Sequence, residues 1–401
     1  MPGPGTFLIN DIERKEVQEV LESGYLSRYG REDDPRFKRK VITLEREFAR
    51  KIGVDYCIAV NGGTGALMAS LVALGVGPGV EVLVNGYTFV ASISAIIAVG
   101  GRPVLTEIDE SLTMDPSDIE KKITERTKVI MPVHMLGYPS DMDRIIQIAD
   151  KHKVYVLEDS CQALGASYKG KKLGSIGHIG AFSLNINKTI TSGDGGLITT
   201  NQKELYERAF GFHDQGHMPL RMGVEIGKRS LIGINLRMNE LSGAFALGQL
   251  KKLDLILTLL KEKKEKFKKT LIEKGIKNIT FSKINDPGEC NTLLTVLFKN
   301  KIIAQKAAKA LKTKTLSESG WHVYNNMEQI LAHVNQEGEK LFRKNMLPQT
   351  DEILSRAINL SVGVVDPGLG ADFGINILSN DEEINRKAEE FINLVKPIVD
   401  L

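Results

Sequence analysis

Phe182-Ser183-Leu184-Asn185-Ile186-Asn187-Lys188-Thr189-Ile190-Thr191-Ser192-Gly193-Asp194-Gly195-Gly196 is the stretch on which the reading of this chain turns. The apolar run Gly180–Leu184 reads as a buried strand, and Leu197–Thr200 as a second. Between them lie uncharged polar residues, one lysine and a glycine cluster suited to tight turns. A solvated turn lysine is the plain reading of Lys188. The other is an amine that loses its proton by desolvation and attacks carbonyls.

Working outward, short apolar strands alternate with helical stretches from Tyr56 onward, the pattern of a parallel or mostly parallel sheet. Strands are expected at 57–60, 82–84, 103–108, 129–133, 154–157, 180–184 and 197–200, with helices at 66–74 and 141–152 among those between them. Val154-Tyr155-Val156-Leu157-Glu158-Asp159-Ser160 is an apolar strand ending in carboxylates. In open α/β sheets ligands gather beyond the carboxyl ends of strands. A carboxylate there caps a helix, or keeps the ring nitrogen of a pyridoxal cofactor protonated. Gly62-Gly63-Thr64-Gly65 lies between a strand and a helix, where backbone amides and the helix N-terminus suit a single phosphate. It is neither a dinucleotide fingerprint nor a nucleotide-triphosphate loop, because no Gly-Lys-Ser/Thr follows.

Toward the N-terminus, residues 11–23 form an amphipathic helix that stops at Gly24, and a second helix is expected over about 43–52. Between them runs a basic-aromatic segment with Arg28, Arg31, Arg36, Lys38, Arg39 and Lys40, either solvated or reaching toward an anionic substrate. A long Lys/Glu-rich helix over about 247–274 reads as solvent-facing, and 381–399 as a closing amphipathic helix.

The 401 residues, 42% apolar and 26% charged, suit a globular chain of two domains. The expected division is 1–252, with the N-terminal helices and the large domain, and 253–401, a smaller α+β domain. A net charge of +3 gives nucleic-acid binding no global support. The three cysteines, Cys57, Cys161 and Cys290, are scattered and form no zinc or disulfide pattern. No signal peptide or membrane span is read, so a cytoplasmic protein is expected.

Glu158-Asp159-Ser160-Cys161-Gln162-Ala163, Gly180-Ala181-Phe182-Ser183 and Lys188-Thr189-Ile190-Thr191-Ser192-Gly193-Asp194-Gly195-Gly196 together resemble the signature of the DegT/StrS-type sugar aminotransferases. Gly63-Thr64, Tyr87-Thr88-Phe89-Val90-Ala91, Pro132-Val133-His134 and Gly233–Glu240 match in the same order, over about 200 residues. The resemblance implies the aspartate-aminotransferase fold (pyridoxal-phosphate fold type I), with a mixed, mostly parallel seven-stranded sheet, and pyridoxal 5'-phosphate as cofactor. It implies that Lys188 condenses with the cofactor's aldehyde and shuttles the proton, and that Asp159 pairs with the ring nitrogen. Phe89 would stack on the ring, and Gln162 would lie on the opposite side or contact the phenolic oxygen. Gly63, Thr64 and Ser183 would hold the phosphate. Asn235 would reach the phosphate of a neighbouring subunit, making a homodimer with shared sites. No metal site is expected: His213 and His217 are four apart but lack a third ligand, and His134 is given no catalytic role.

The implied reaction moves an amino group from L-glutamate or L-glutamine to a keto- or aldehydo-sugar. His178 stands where the family has aspartate, Asp194 where it has glutamate, and Gly65 where it has alanine or a larger residue. Gly320-Trp321-His322-Val323-Tyr324 replaces an arginine-proline-tyrosine segment. With Gly24–Tyr29 and Asp214–His217, it is most similar to the branch that aminates C8 of an eight-carbon keto-deoxy sugar acid. A nucleotide-linked keto-sugar is the alternative acceptor. A sugar dehydratase on the same scaffold is disfavoured because Lys188 is retained and the cysteines cannot hold an iron–sulfur cluster.

Overall fold

The computed structural model describes residues 3–219, 231–335 and 338–400. Seven strands form the central sheet: β1 (Tyr56–Val60), β2 (Glu81–Asn85), β3 (Arg102–Thr106), β4 (Thr127–Met131), β5 (Tyr155–Asp159), then β8 (Ile179–Ser183) and β9 (Gly196–Thr200). A two-stranded ribbon, β6 (Ser167–Tyr168) with β7 (Lys171–Lys172), lies between β5 and β8. The sheet order is β1-β9-β8-β5-β4-β2-β3, and β9 alone runs antiparallel to its neighbours. The expected mostly parallel sheet is present. Its strands are apolar on both faces because helices cover both, as parallel sheets require.

A second, antiparallel sheet follows: β10 (Ile279–Phe281), β11 (Leu293–Phe298) and β12 (Ala357–Ser361). The helix Asp381–Val399 forms where expected and buries Ile384, Ala388, Phe391, Ile392 and Val395. The long helix read over 247–274 is two helices, Glu240–Leu250 and Leu253–Glu273. At the break Lys251 pairs with Glu16, and Lys252 with Glu13 and the Leu8 carbonyl. Those contacts tie the first helix to the N-terminal one, and the second turns away to bury Ile256, Leu260, Phe267 and Leu271. Lys264 is not solvent-facing. It is buried, ion-paired with Glu289 and set over the Tyr138 ring.

The segment after residue 320 pairs with the chain beyond β2. Thr88 donates to the His322 carbonyl (3.0 Å), Val90 to that of Trp321 (2.9 Å), and Tyr87 bridges Val323. Among the described residues no helix is long and apolar enough to cross a membrane.

Candidate active site

A cavity of about 390 Å³ opens beyond the carboxyl ends of β5 and β8. Gly63, Thr64, Phe89, Asp159, Gln162, Ser183 and Lys188 all line it. Asn235 stands apart, exposed on the surface, with its side-chain oxygen accepting from the Arg237 amide at 3.2 Å.

The alternation of β5 sends its two terminal carboxylates to opposite faces. Asp159 reaches the cavity, where one oxygen accepts from the Ser92 hydroxyl (2.7 Å) and the other from the Cys161 amide (3.1 Å). Ser92 is held in turn by Thr88 (2.7 Å). Glu158 points the other way, fully buried. It accepts from the amides of Gly174 (2.8 Å), Ile176 (2.7 Å) and Gly177 (2.7 Å). His134 completes that set. Its Nδ1 accepts from the Ser140 amide (3.1 Å), so the proton sits on Nε2, which donates to Glu158 (3.2 Å). His134 is therefore structural. Glu158→Ala leaves one buried and two half-buried amides without this acceptor, and should cost about 3–5 kcal/mol in urea unfolding.

Lys188 sits on the turn between β8 and β9. Its amide donates to the Asn185 carbonyl (2.9 Å), and the Asn185 side chain accepts from Asn187 (3.2 Å). From the far end of the chain, Gly3 donates to the Ile186 carbonyl at 2.8 Å. A Cβ on Gly3 would lie 2.5 Å from the Lys188 carbonyl oxygen, so only glycine lets the two backbones meet. Burial pushes the Lys188 ammonium below the usual lysine range, while Cys161, Asp159 and Asp366 pull the other way. Burial wins, as the reactive-amine reading requires.

The helix Gly63–Ala73 starts at Gly62 with no side-chain cap, so its first amides face the cavity. A Cβ on Gly63 would lie 2.8 Å from the Ser183 Cβ and 3.2 Å from the Cys161 sulfur. This close backbone approach, an uncapped helix dipole and the Ser183 hydroxyl suit a phosphate. Gly63→Ala should weaken cofactor retention about tenfold or more, read by equilibrium dialysis of the phosphorylated cofactor.

Gln162 lines the cavity and commits its oxygen to the Leu136 amide (2.9 Å). Phe89, about 40% exposed, forms a wall with Trp321 (centroids 6.3 Å) and His322 (5.3 Å). His322, Asp366, Ser92, Cys161 and Asp194 line the cavity, and residue-by-residue reading gave none of them a site role. No local signal marks His322 or Asp366, which arrive from the C-terminal part of the chain.

In the basic segment Arg31, Arg36 and Lys38 are exposed, as the solvated reading expects, whereas Arg28 and Lys40 are buried; none of these five lines the cavity. Arg28 is buried, bonding both oxygens of Glu45 (3.0 and 3.2 Å) and His213 Nε2 (3.0 Å). Arg31 pairs with Asp33, Arg36 with Asp34, and Lys40 with Glu16 and Glu19. Because Arg28 donates to Nε2, His213 gives its Nδ1 proton to the Phe210 carbonyl (2.5 Å). Burial and Arg28 hold it at about 3, a neutral imidazole. His178 replaces the family's aspartate with an Nδ1 that accepts from the Val156 amide (3.0 Å), which bears on strand pairing and not on the cavity.

A mostly parallel sheet with a single reversed strand, carrying a desolvated lysine, a strand-end carboxylate and an uncapped glycine turn in one cavity, defines a pyridoxal-phosphate enzyme of fold type I. The chain belongs to the DegT/DnrJ/EryC1/StrS aminotransferase family, whose profile matches residues 8–365. It is similar to the GDP-perosamine synthase of Escherichia coli O157:H7, 38% identical over 260 residues, covering 65% of this chain and 68% of that one. Two further GDP-perosamine synthases are matched over 62% and 64% of their own length, just under two thirds. The aminotransferase from Psychrobacter cryohalolentis superposes with a TM-score of 0.80 at 27% identity, over 99% of both chains. S. venezuelae DesV, solved in complex with a ketimine intermediate, does so at 0.76 and 27%, over 96% of this chain and 94% of that. The enzyme is a pyridoxal-phosphate-dependent sugar aminotransferase, and its cavity residues fit that cofactor.

Proposed function

We propose that the amino group comes from L-glutamate or L-glutamine and goes to the carbonyl carbon of a keto- or aldehydo-sugar whose reacting end is neutral. The observation that carries this reading is the amine of Lys188 in one cavity with the carboxylate of Asp159. When bound, the cofactor supplies an aldehyde that takes up amines and a ring that draws electrons from the neighbouring carbon. Lys188, whose hold on its proton burial weakens below the usual lysine range, takes the proton from the donor's α-carbon and returns one to the acceptor carbon. Asp159, fixed by Ser92 and the Cys161 amide, holds positive charge at the ring nitrogen. Gly63, Thr64 and Ser183 bind the phosphate, and Phe89 and Gln162 bracket the ring.

Among the described residues lining the cavity, Lys188 is the one lysine or arginine. Any diphosphate or carboxylate on the acceptor then stays at the mouth. Two acceptors meet that condition. A nucleotide-linked keto-sugar is favoured by the perosamine synthases among the relatives. An eight-carbon keto-deoxy acid oxidised at C8 is favoured by the Tyr25, Asp214 and Trp321 segments. Offering both to the glutamate-treated holoenzyme separates them: the true acceptor restores the cofactor's visible band. If neither does, the proposed reaction is wrong.

The exposed amide of Asn235 supports a role at a neighbouring copy's phosphate, and hence a homodimer. Mixing Asn235→Ala with Lys188→Ala should then give active hybrids, because one site per dimer keeps both residues. Mixtures no more active than their parents refute the sharing.

A further inference from the structure

We infer that His322 accepts a hydrogen bond, through Nε2, from the hydroxyl beside the reacting carbonyl of the acceptor sugar. This rests on the aminotransferase reading above and adds a specificity determinant to it.

The argument is the tautomer. His322 is 4% exposed and lines the cavity against Phe89. Its Nδ1 faces two oxygens, the Ser319 hydroxyl (3.0 Å) and the Gly368 carbonyl (3.2 Å). Ser319 donates its own proton to the same carbonyl, so its oxygen is an acceptor toward the ring. A ring nitrogen between two acceptors carries the proton, which leaves Nε2 with a bare lone pair, on a ring that lines the cavity.

The ring also stays neutral. Burial and the nearby Lys188 push His322 down to about 3. A neutral, acceptor-only nitrogen fixed by backbone pairing selects a donor. A hydroxyl fits, whereas a carboxylate at that point is repelled by the lone pair and by Asp366, which shares the wall. Glutamate brings no hydroxyl, so the contact belongs to the acceptor half-reaction alone.

The test uses holoenzyme of the wild type, His322→Phe and His322→Gln. The probes are a GDP-linked 4-ketohexose with its 3-deoxy analogue, and the C8-oxidised keto-deoxy octulosonate with its 7-deoxy analogue. Phenylalanine keeps the ring against Phe89 without the acceptor, and glutamine restores an acceptor oxygen. For His322→Phe, the glutamate half-reaction should stay within about threefold, while acceptor kcat/KM falls about 10- to 100-fold, the size of one hydrogen bond. Glutamine should recover most of it. The deoxy analogue should suffer the same loss on the wild type and none further on His322→Phe. Nitrogen-15 histidine spectra should show a protonated Nδ1 and an unprotonated Nε2. Equal losses in both half-reactions, or a protonated Nε2, overturn the assignment while leaving the aminotransferase reading intact. Rejection of both sugars overturns the acceptor reading and this inference with it.

Discussion

Lys188→Ala should lower amino transfer by about 10⁴-fold or more, because on the proposed reading it removes both the attacking amine and the group that moves the proton. Borohydride should fix the cofactor to the wild-type protein at residue 188 and fix none to the variant. The fold should survive: the lysine contributes a desolvated charge, held below its usual pKa by burial, and its loss relieves that cost. A thermal midpoint equal to or above that of the wild type is expected. Lys188→Arg sharpens the test, since a guanidinium cannot give up its proton at neutral pH and should be as inactive as alanine. Transfer at normal rate by either variant would refute the assignment.

Asp159→Asn should lower turnover by about 10³-fold, comparable to removing one preorganised electrostatic partner in an enzyme site. The amide keeps the shape of the carboxylate. Its oxygen can still accept from the Cys161 amide, and Ser92 can rotate to accept from the new NH2 group. Cofactor uptake should therefore change little while the rate collapses. Collapse of both together would mean that Asp159 is a fold residue first.

What the sequence revealed was set by how local each cause is. The strands of the central sheet were readable from short apolar runs, and β5 from its terminal carboxylates. Helix starts were harder. The helix read from residue 43 begins at Lys40, because Glu240 accepts from the amides of Lys40 (2.6 Å) and Val41 (3.0 Å). That cap comes from across the chain and leaves no mark beside the helix. The helix read from residue 66 begins at Gly63, since an N-terminus left open for an anion carries no capping side chain. Seven of the eight proposed site residues meet because they follow strands whose carboxyl ends share one edge. His322 was missed for the opposite reason: it reaches Phe89 through pairing between segments more than 230 residues apart. The burial of Arg28, in a segment read as solvated or reaching toward an anionic substrate, left no local mark because its partners, Glu45 and His213, stand farther along the chain.

Neighbouring acids on β5 serve two masters, one gripping a loop at the back of the sheet and one facing the chemistry at the front. Because a strand's faces swap with every residue, an insertion or deletion of one position would trade them, aiming the loop's anchor at the substrate and burying the reactive group among amides already claimed. Grafting this catalytic edge onto another scaffold therefore means carrying His134 and the 174–177 turn along with it. Length changes here are tolerable only in steps of two.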